Sequence, residues 1–200
     1  MESPTSSNST AFPWVTCTIS LAASAALWFP VLSSAFIYDR SLIITGEVWR
    51  CWTGHIVHFS ANHFWWDMVI FVPVGCWLER IRPKRIRWFY VICPLAISTA
   101  LLVVEPALER YAGISGVATG ALVLLAGLQL RRRPAEPAWF WLTVLGLVAA
   151  KIGFELMGND SLLVDLPGSV RVAPLAHIGG LLCGLIFQHP RVTPPLRPKP

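Results

Sequence analysis

Apolar residues in this chain fall into six long runs separated by short polar or basic segments. Each run approaches the roughly 20 residues that a helix needs to cross a bilayer. The pattern therefore predicts an all-α polytopic membrane protein with six spans. These lie at about Trp14–Tyr38, Ser60–Leu78, Trp88–Val104, Gly113–Leu130, Trp139–Met157 and Val172–Phe187.

The six runs leave little chain for an extramembrane domain. Residues 1–13 are polar and rich in Ser and Thr, which predicts a disordered N-terminal tail. We expect one membrane domain over residues 14–189 and a cytoplasmic C-terminal tail over residues 190–200. The longest connection between the first five spans, residues 39–59, contains a partly amphipathic stretch, Val48–His58.

Composition supports the membrane assignment. Of the 200 residues, 54% are hydrophobic and only 14% are charged, whereas a soluble domain carries roughly 25% charged residues. Most of the ten Trp residues fall near predicted span ends, where amphipathic rings favour the headgroup layer.

The basic residues predict an orientation. Eleven of the 16 Lys and Arg residues follow span two, four or six, so the positive-inside rule places both termini in the cytoplasm. The net charge of +5 forms no stripe interleaved with aromatic residues, which argues against nucleic acid as a partner. Anionic lipid headgroups explain this charge better.

Polar residues inside apolar runs point to function, because burying them in hydrocarbon costs free energy. Ser115 lies within the segment Gly113–Gly116, about one turn below the outer end of the fourth predicted span. Gly116 and Gly120 are four residues apart and form a face suited to tight helix packing. A serine in a membrane helix also commonly bonds the preceding turn, so a purely structural role stays open.

The sixth run places a histidine on a face of small residues. His177, Gly180 and Gly184 have the spacing i, i+3, i+7, so this face can approach the glycine face of the fourth run closely. His177 and Ser115 each lie within two turns of the outer end of their run. A lone histidine in a helix is also often a structural hydrogen-bonding residue.

A third polar cluster, His55, His58, His63 and Asp67, leads into the second run. His63 and Asp67 are at i and i+4, on one helical face. This composition could ligate zinc, but the cluster lacks an HExxH pattern, and we predict no metal and no cofactor. Helix capping or contact with lipid headgroups is the alternative for His55 and His58.

These three places supply parts of a serine hydrolase. A neutral imidazole can take the proton of a serine hydroxyl, which makes Ser115 the candidate nucleophile and His177 the candidate base. The tetrahedral intermediate needs hydrogen-bond donors, which an imidazole of the second span or the glycine turn before Ser115 could supply. No acidic third member is obvious from the sequence.

The same segments resemble rhomboid proteases over roughly residues 45–190. The stretch from Trp49-Arg50 through His58-Phe59-Ser60 to His63 looks like the region that leads into their second helix. The segment Gly113–Gly116 is similar to their GxSG nucleophile motif, and Ala176–Gly184 resembles their AHxxGxxxG sixth helix.

The resemblance implies a six-transmembrane-helix rhomboid-like bundle and an intramembrane serine endopeptidase. Ser115 would then be the nucleophile and His177 the general base. It implies that the oxyanion and the substrate are bound near four residues, His63, Gly113, Gly116 and Asp67. It implies helix packing at Gly120, Gly180 and Gly184.

Two positions depart from the family pattern. Rhomboids commonly have Asn four residues after the oxyanion histidine, and here the residue is Asp67. An ionised carboxylate would repel an oxyanion, so Asp67 is either protonated or turned to another partner. Many rhomboids also have Tyr four residues after the nucleophile, where this chain has Thr119.

The compact size, the Thr53-Gly54-His55 stretch and the Trp66-Asp67 pair look closer to rhombosortases. This bacterial subfamily processes proteins that carry a C-terminal glycine-rich sorting tail with its own membrane helix. The resemblance implies membrane-anchored substrates with a single transmembrane helix. It also implies a location in the bacterial inner membrane, with an active site that opens to the outer side.

Three alternatives remain at this point. A rhomboid-like protein without activity would serve as a membrane-protein binding module or chaperone. A small transporter or channel would need charged residues near mid-membrane and a repeat between its halves, and the sequence shows neither. A haem-binding electron carrier would need paired histidines on facing helices, and only His63 and His177 could supply one pair.

Overall fold

The computed structural model describes residues 12–131, 136–158 and 173–189. Residues 1–11 of the predicted N-terminal tail and the predicted C-terminal tail, residues 190–200, lie outside the described residues. The described chain is almost entirely helical. Its helices are α1 Trp14–Trp28, α2 Pro30–Phe36, α3 Arg40–Ile44, α4 Arg50–Thr53, α5 Ala61–Ile81, α6 Pro83–Val104, α7 Ser115–Arg131, α8 Ala138–Leu156 and α9 Pro174–Phe187.

Two of the described helices, α6 and α8, are each long and apolar enough to cross a membrane. The pair α1 and α2 would make a third span only as a bent unit, because the chain turns by 113° between them. Pro30 occupies the first turn of α2, and its ring cannot continue the preceding helix. The prediction of one span from Trp14 to Tyr38 is therefore corrected, since α1 ends at Trp28.

The helices that carry the candidate dyad are shorter than predicted. Apolar α7 and α9 have 17 and 14 residues. The fourth span was expected to begin at Gly113, but that residue has φ +126°, which an α-helix does not accommodate. Helix α7 therefore begins at Ser115, two residues after the predicted start of the span.

Helix α7 is buried along most of its length and packs against α5, α6, α8 and α9. At its glycines, the backbone of α7 lies directly against the backbone of α9. A Cβ atom on Gly116 would lie 2.7 Å from the carbonyl oxygen of Ala176, and one on Gly120 would overlap the carbonyl oxygen of Gly180. Only glycine lets the two helices approach this closely.

The connection between α2 and α5 is tied down by side-chain hydrogen bonds. The guanidinium of Arg50 donates to the carbonyl oxygens of Ser34 and Ile37 and pairs with Glu47. The hydroxyl of Thr53 donates to the carbonyl oxygen of Phe36 at 2.8 Å. This segment, which contains α4 and a 3-10 helix at Gly54–Ile56, is therefore an ordered cover beside the helices.

Two short strands join this cover to the segment that precedes Ser115. Strand β1, Tyr38–Asp39, pairs antiparallel with β2, Arg110–Tyr111. The salt bridge between Asp39 and Arg110 reinforces the pair at the surface. Hydrogen bonding to Ser41 lowers the pKa of Asp39, which is consistent with an ionised partner for Arg110.

Candidate active site

The close packing of α7 and α9 brings Ser115 and His177 together. The hydroxyl oxygen of Ser115 lies 2.9 Å from Nε2 of His177. Ser115 opens α7, and His177 lies in the first turn of α9, which begins at Pro174. The imidazole is buried and Ser115 is half-buried. This arrangement lets Nε2 accept the hydroxyl proton, as a nucleophile–base pair requires.

A carboxylate from α8 contacts the other side of the imidazole. Nδ1 of His177 lies 2.6 Å from Oε2 of Glu155. The second carboxylate oxygen, Oε1, accepts a hydrogen bond from Nζ of Lys151 at 2.6 Å. Nζ also lies 3.1 Å from Nε2 and 3.2 Å from Nδ1 of His177. The sequence offered no obvious acidic partner for His177, and the structure places the Glu155 carboxylate beside its ring.

The sequence does contain a signal for Glu155, because it is an ionisable residue within an apolar run. Lys151 and Glu155 are at i and i+4 near the C-terminal end of an otherwise apolar run, a spacing that is also typical of a surface pair in contact with headgroups. The side chain of Glu155 is, however, only 2% exposed, whereas that of Lys151 is 47% exposed. An ionisable residue within a membrane run is by itself a pointer to a functional site.

The third polar cluster converges on Asp67. Its Oδ2 atom lies 3.1 Å from Nε2 of His58 and 3.4 Å from Nε2 of His63, and all three side chains are buried. The two imidazoles meet edge to face at 5.1 Å between centroids. Asp67 therefore has two imidazole partners, which corresponds to the second alternative raised for it from the sequence.

His63 also touches the segment that leads to the nucleophile. A Cβ atom on Gly113 would lie 2.8 Å from Cε1 and Nε2 of His63. Gly113 thus needs to be glycine both for its positive φ and for this contact. The hydroxyl of Tyr111 donates to the carbonyl oxygen of Gly113 at 2.9 Å, a role that sequence reasoning did not assign. Burial raises the pKa of Tyr111, so this donor keeps its proton.

His55 lies apart from the Asp67 cluster. Its Nε2 is 3.1 Å from both the carbonyl oxygen of Pro94 and the hydroxyl of Ser98, and burial lowers the pKa of His55 to about 4. Because His55 and His58 are both buried, contact with headgroups is the wrong interpretation for them. Within the described ranges, no group of three or more His, Cys, Asp or Glu residues is arranged to hold a metal.

The remaining residues predicted for the site lie along the α7–α9 contact. Gly116, expected near the oxyanion and the substrate, faces the Ala176 carbonyl of α9. A Cβ atom on Gly184 would overlap the carbonyl oxygen of Gly120. Thr119 is buried on α7, one turn beyond Ser115. The structure thus brings Ser115, His177 and the glycines together on one helix pair.

Comparison with known proteins gives one family. The family model of the Rhomboid domain matches residues 45–192, a range that contains every candidate site residue described above. None of the curated proteins compared with the chain matches it. The match and the apolar helices together make the chain an integral, multi-pass membrane protein.

Proposed function

Because the chain belongs to the rhomboid family of intramembrane serine proteases, we propose that it is a serine endopeptidase whose dyad is Ser115 and His177. The observation that carries this proposal is the 2.9 Å distance between Ser115 Oγ and His177 Nε2. Helices distant in sequence supply the two side chains, and backbone contact between glycines fixes their separation.

The proposed reaction begins with attack of Ser115 Oγ on the carbonyl carbon of a substrate peptide bond, while Nε2 of His177 takes the hydroxyl proton. Collapse of the tetrahedral intermediate breaks the C–N bond, and the same proton passes to the leaving amine. Water then hydrolyses the acyl-enzyme in a second round of base and acid catalysis by His177.

The negative charge of the intermediate needs donors near Ser115. The first N–H groups of a helix have no carbonyl partner within that helix, and the positive end of the α7 dipole lies at Ser115. His63, which lies against Gly113, is the proposed side-chain contributor. Asp67 then orients His63 and His58, which accounts for a carboxylate where the family commonly has Asn.

We propose membrane-anchored proteins with a single transmembrane helix as substrates, and C-terminal glycine-rich sorting tails as the specific class. The Thr53-Gly54-His55 stretch, which resembles rhombosortases, supports this choice through its place in the fold. A Cβ atom on Gly54 would lie 2.7 Å from Cβ of Tyr38, and His55 bonds to α6. The stretch therefore holds the cover segment against Tyr38 and α6, and the substrate helix is proposed to enter beside this segment.

The test uses a reporter with a single membrane helix that is followed by a glycine-rich tail, expressed together with the chain. We expect cleavage by wild type and a loss of at least ~100-fold in Ser115→Ala and His177→Ala. Ser24→Ala is the matched control, because the Ser24 hydroxyl donates to the Ser20 carbonyl of its own helix. Unchanged cleavage by Ser115→Ala would contradict the proposal.

The catalytically inactive binding module or chaperone is the alternative that this experiment addresses. If folded wild-type chain binds the reporter without cleaving it, this alternative is favoured. The arrangement of Ser115, His177 and Glu155 is the observation against it, because a protein that only binds has no need of a buried base held between a hydroxyl and a carboxylate.

A further inference from the structure

We propose that Glu155 is a positioning residue that makes the site a Ser115–His177–Glu155 triad. This inference rests on the proposed function and deepens it. The glutamate acts on the reaction through His177 and does not touch the substrate.

The two contacts of the His177 ring support this inference. The 2.6 Å separation of Oε2 from Nδ1 and the 2.9 Å separation of Nε2 from Ser115 Oγ place His177 between an acceptor and a hydroxyl. An ionised carboxylate can only accept, so the proton on the neutral ring resides on Nδ1. Nε2 is then the unprotonated nitrogen that faces Ser115, and the Lys151 ammonium, which lies 3.1 Å from Nε2, can only donate to it. Without Glu155, either nitrogen could carry the proton.

The carboxylate also stabilises the ring after proton transfer. When Nε2 takes the Ser115 proton, His177 becomes a buried cation 2.6 Å from a buried oxygen. Such an interaction is strong where water is scarce. A carboxylate oriented in this way fixes both the tautomer and the orientation of a catalytic imidazole.

Lys151 explains how a buried carboxylate is kept ionised. A buried charge without a partner is costly, and the Lys151 ammonium supplies that partner at Oε1. Lys151 reaches solvent with part of its side chain, as long cationic side chains do near membrane ends. The pair therefore holds the carboxylate rotamer while Oε2 remains directed at His177.

The other titratable groups near His177 do not offer the same contact. The Lys151 ammonium of α8 lies 3.1 Å from Nε2 and 3.2 Å from Nδ1 but can only donate. The Tyr111 hydroxyl, beside Ser115, donates to the carbonyl oxygen of Gly113. On α5, Asp67 is engaged with His58 and His63. Among the described residues, Glu155 is the carboxylate bonded to His177.

The kinetic test compares Glu155→Gln and Glu155→Asp with wild type on the cleaved reporter, per folded molecule. Glutamine keeps the shape but removes the charge, so we expect kcat to fall at least ~10-fold with KM within about 2-fold of wild type. Aspartate keeps the charge and should retain more activity than glutamine. Glu79→Gln is the control, since Glu79 is equally buried but bonds Val15 and Thr16 of α1.

A spectroscopic test keeps the inference independent of activity. The chain has five histidines, so long-range proton–nitrogen NMR of histidine-labelled protein in micelles can be assigned by comparison with His177→Ala. With the ring neutral, we expect His177 to carry its proton on Nδ1 in wild type and to show a mixture of tautomers in Glu155→Gln. A folded Glu155→Gln with wild-type kcat and an unchanged tautomer would overturn the inference.

The two proposals fail in different ways. Cleavage that requires Ser115 and His177 but not Glu155 would leave the dyad and exclude the triad. A wild type that shows the Nδ1 tautomer but cleaves no reporter would keep the contact and count against the proposed protease.

Discussion

His55 shows how a single buried side chain can make this protein sensitive to pH. Its imidazole ties the cover segment to α6 through the Pro94 carbonyl and the Ser98 hydroxyl, and burial disfavours its protonated form. The pKa of His55 is about 4 in the folded protein, against a normal value of 6.5. Folding therefore favours the neutral ring.

This shift predicts a loss of stability in mild acid. Above pH 6.5 both states are neutral at His55 and the contribution is complete. Between pH 6.5 and 4 the unfolded chain binds a proton that the folded chain does not, so up to about 3 kcal/mol is lost. We expect the thermal midpoint of His55→Gln to fall less than that of wild type when the pH is lowered from 7.5 to 5. His189→Gln, at an exposed position, is the control and should lose as much thermal midpoint between pH 7.5 and pH 5 as wild type does. If His55→Gln loses as much as wild type, the assignment of this effect to His55 is contradicted.

The sequence made some site residues recognisable and hid others for physical reasons. Ser115 and His177 stood out because each is polar within an apolar run and is accompanied by glycines at helical spacing. Glu155 was not identified from the sequence, because a Lys–Glu pair at i and i+4 near the end of an apolar run is equally typical of a surface pair. The direction of its side chain depends on how α8 packs against α9, which local sequence does not encode.

At the scale of elements, the glycine contact between α7 and α9 sets the distance between nucleophile and base. A methyl group on Gly180 would overlap the carbonyl oxygen of Gly116, and backbone cannot move aside as a flexible side chain can. The small-residue spacing in the sequence indicated this packing. The bend at Pro30 and the late start of α7 at Ser115 were missed, because the apolar pattern continues through both breaks.

We predict that Gly180→Ala destabilises the fold by about 1–3 kcal/mol and lowers activity by separating Ser115 from His177. Gly146→Ala is the matched control, because nothing lies within 4 Å of a Cβ atom there and alanine favours helix by up to about 1 kcal/mol. Thermal midpoints in micelles and cleavage per folded molecule measure both effects. A Gly180→Ala variant as stable and active as Gly146→Ala would show that the helices are not in backbone contact.

At the scale of the whole molecule, Ser115 and His177 lie on two short helices, α7 and α9, which pack among longer ones. At 1.5 Å per residue, the 14 residues of α9 cover about 21 Å, less than the roughly 30 Å hydrocarbon core. The 17 residues of α7 cover about 26 Å. Ser115 and His177 lie near the N-terminal ends of these helices, so both can lie below a membrane surface and still be reached by water from that side.

The proposed arrangement of six crossings with both termini in the cytoplasm predicts the side of each loop in a bacterial inner membrane. Reporter fusions after Arg87 and after the last residue should give fluorescent green fluorescent protein, which folds in the cytoplasm. A fusion after Arg110 should instead give active alkaline phosphatase, which matures outside. The reverse pattern, or the same side for Arg87 and Arg110, would contradict this topology.

The central claim is that Ser115 is a nucleophile activated by His177, and covalent labelling tests it most directly. Purified wild-type chain treated with a fluorophosphonate should gain one adduct that mass spectrometry maps to Ser115. Ser115→Ala should gain none, His177→Ala should react at least ~100-fold more slowly, and Ser24→Ala should label as wild type does. An adduct that persists in Ser115→Ala, or labelling that is indifferent to His177, would contradict the account.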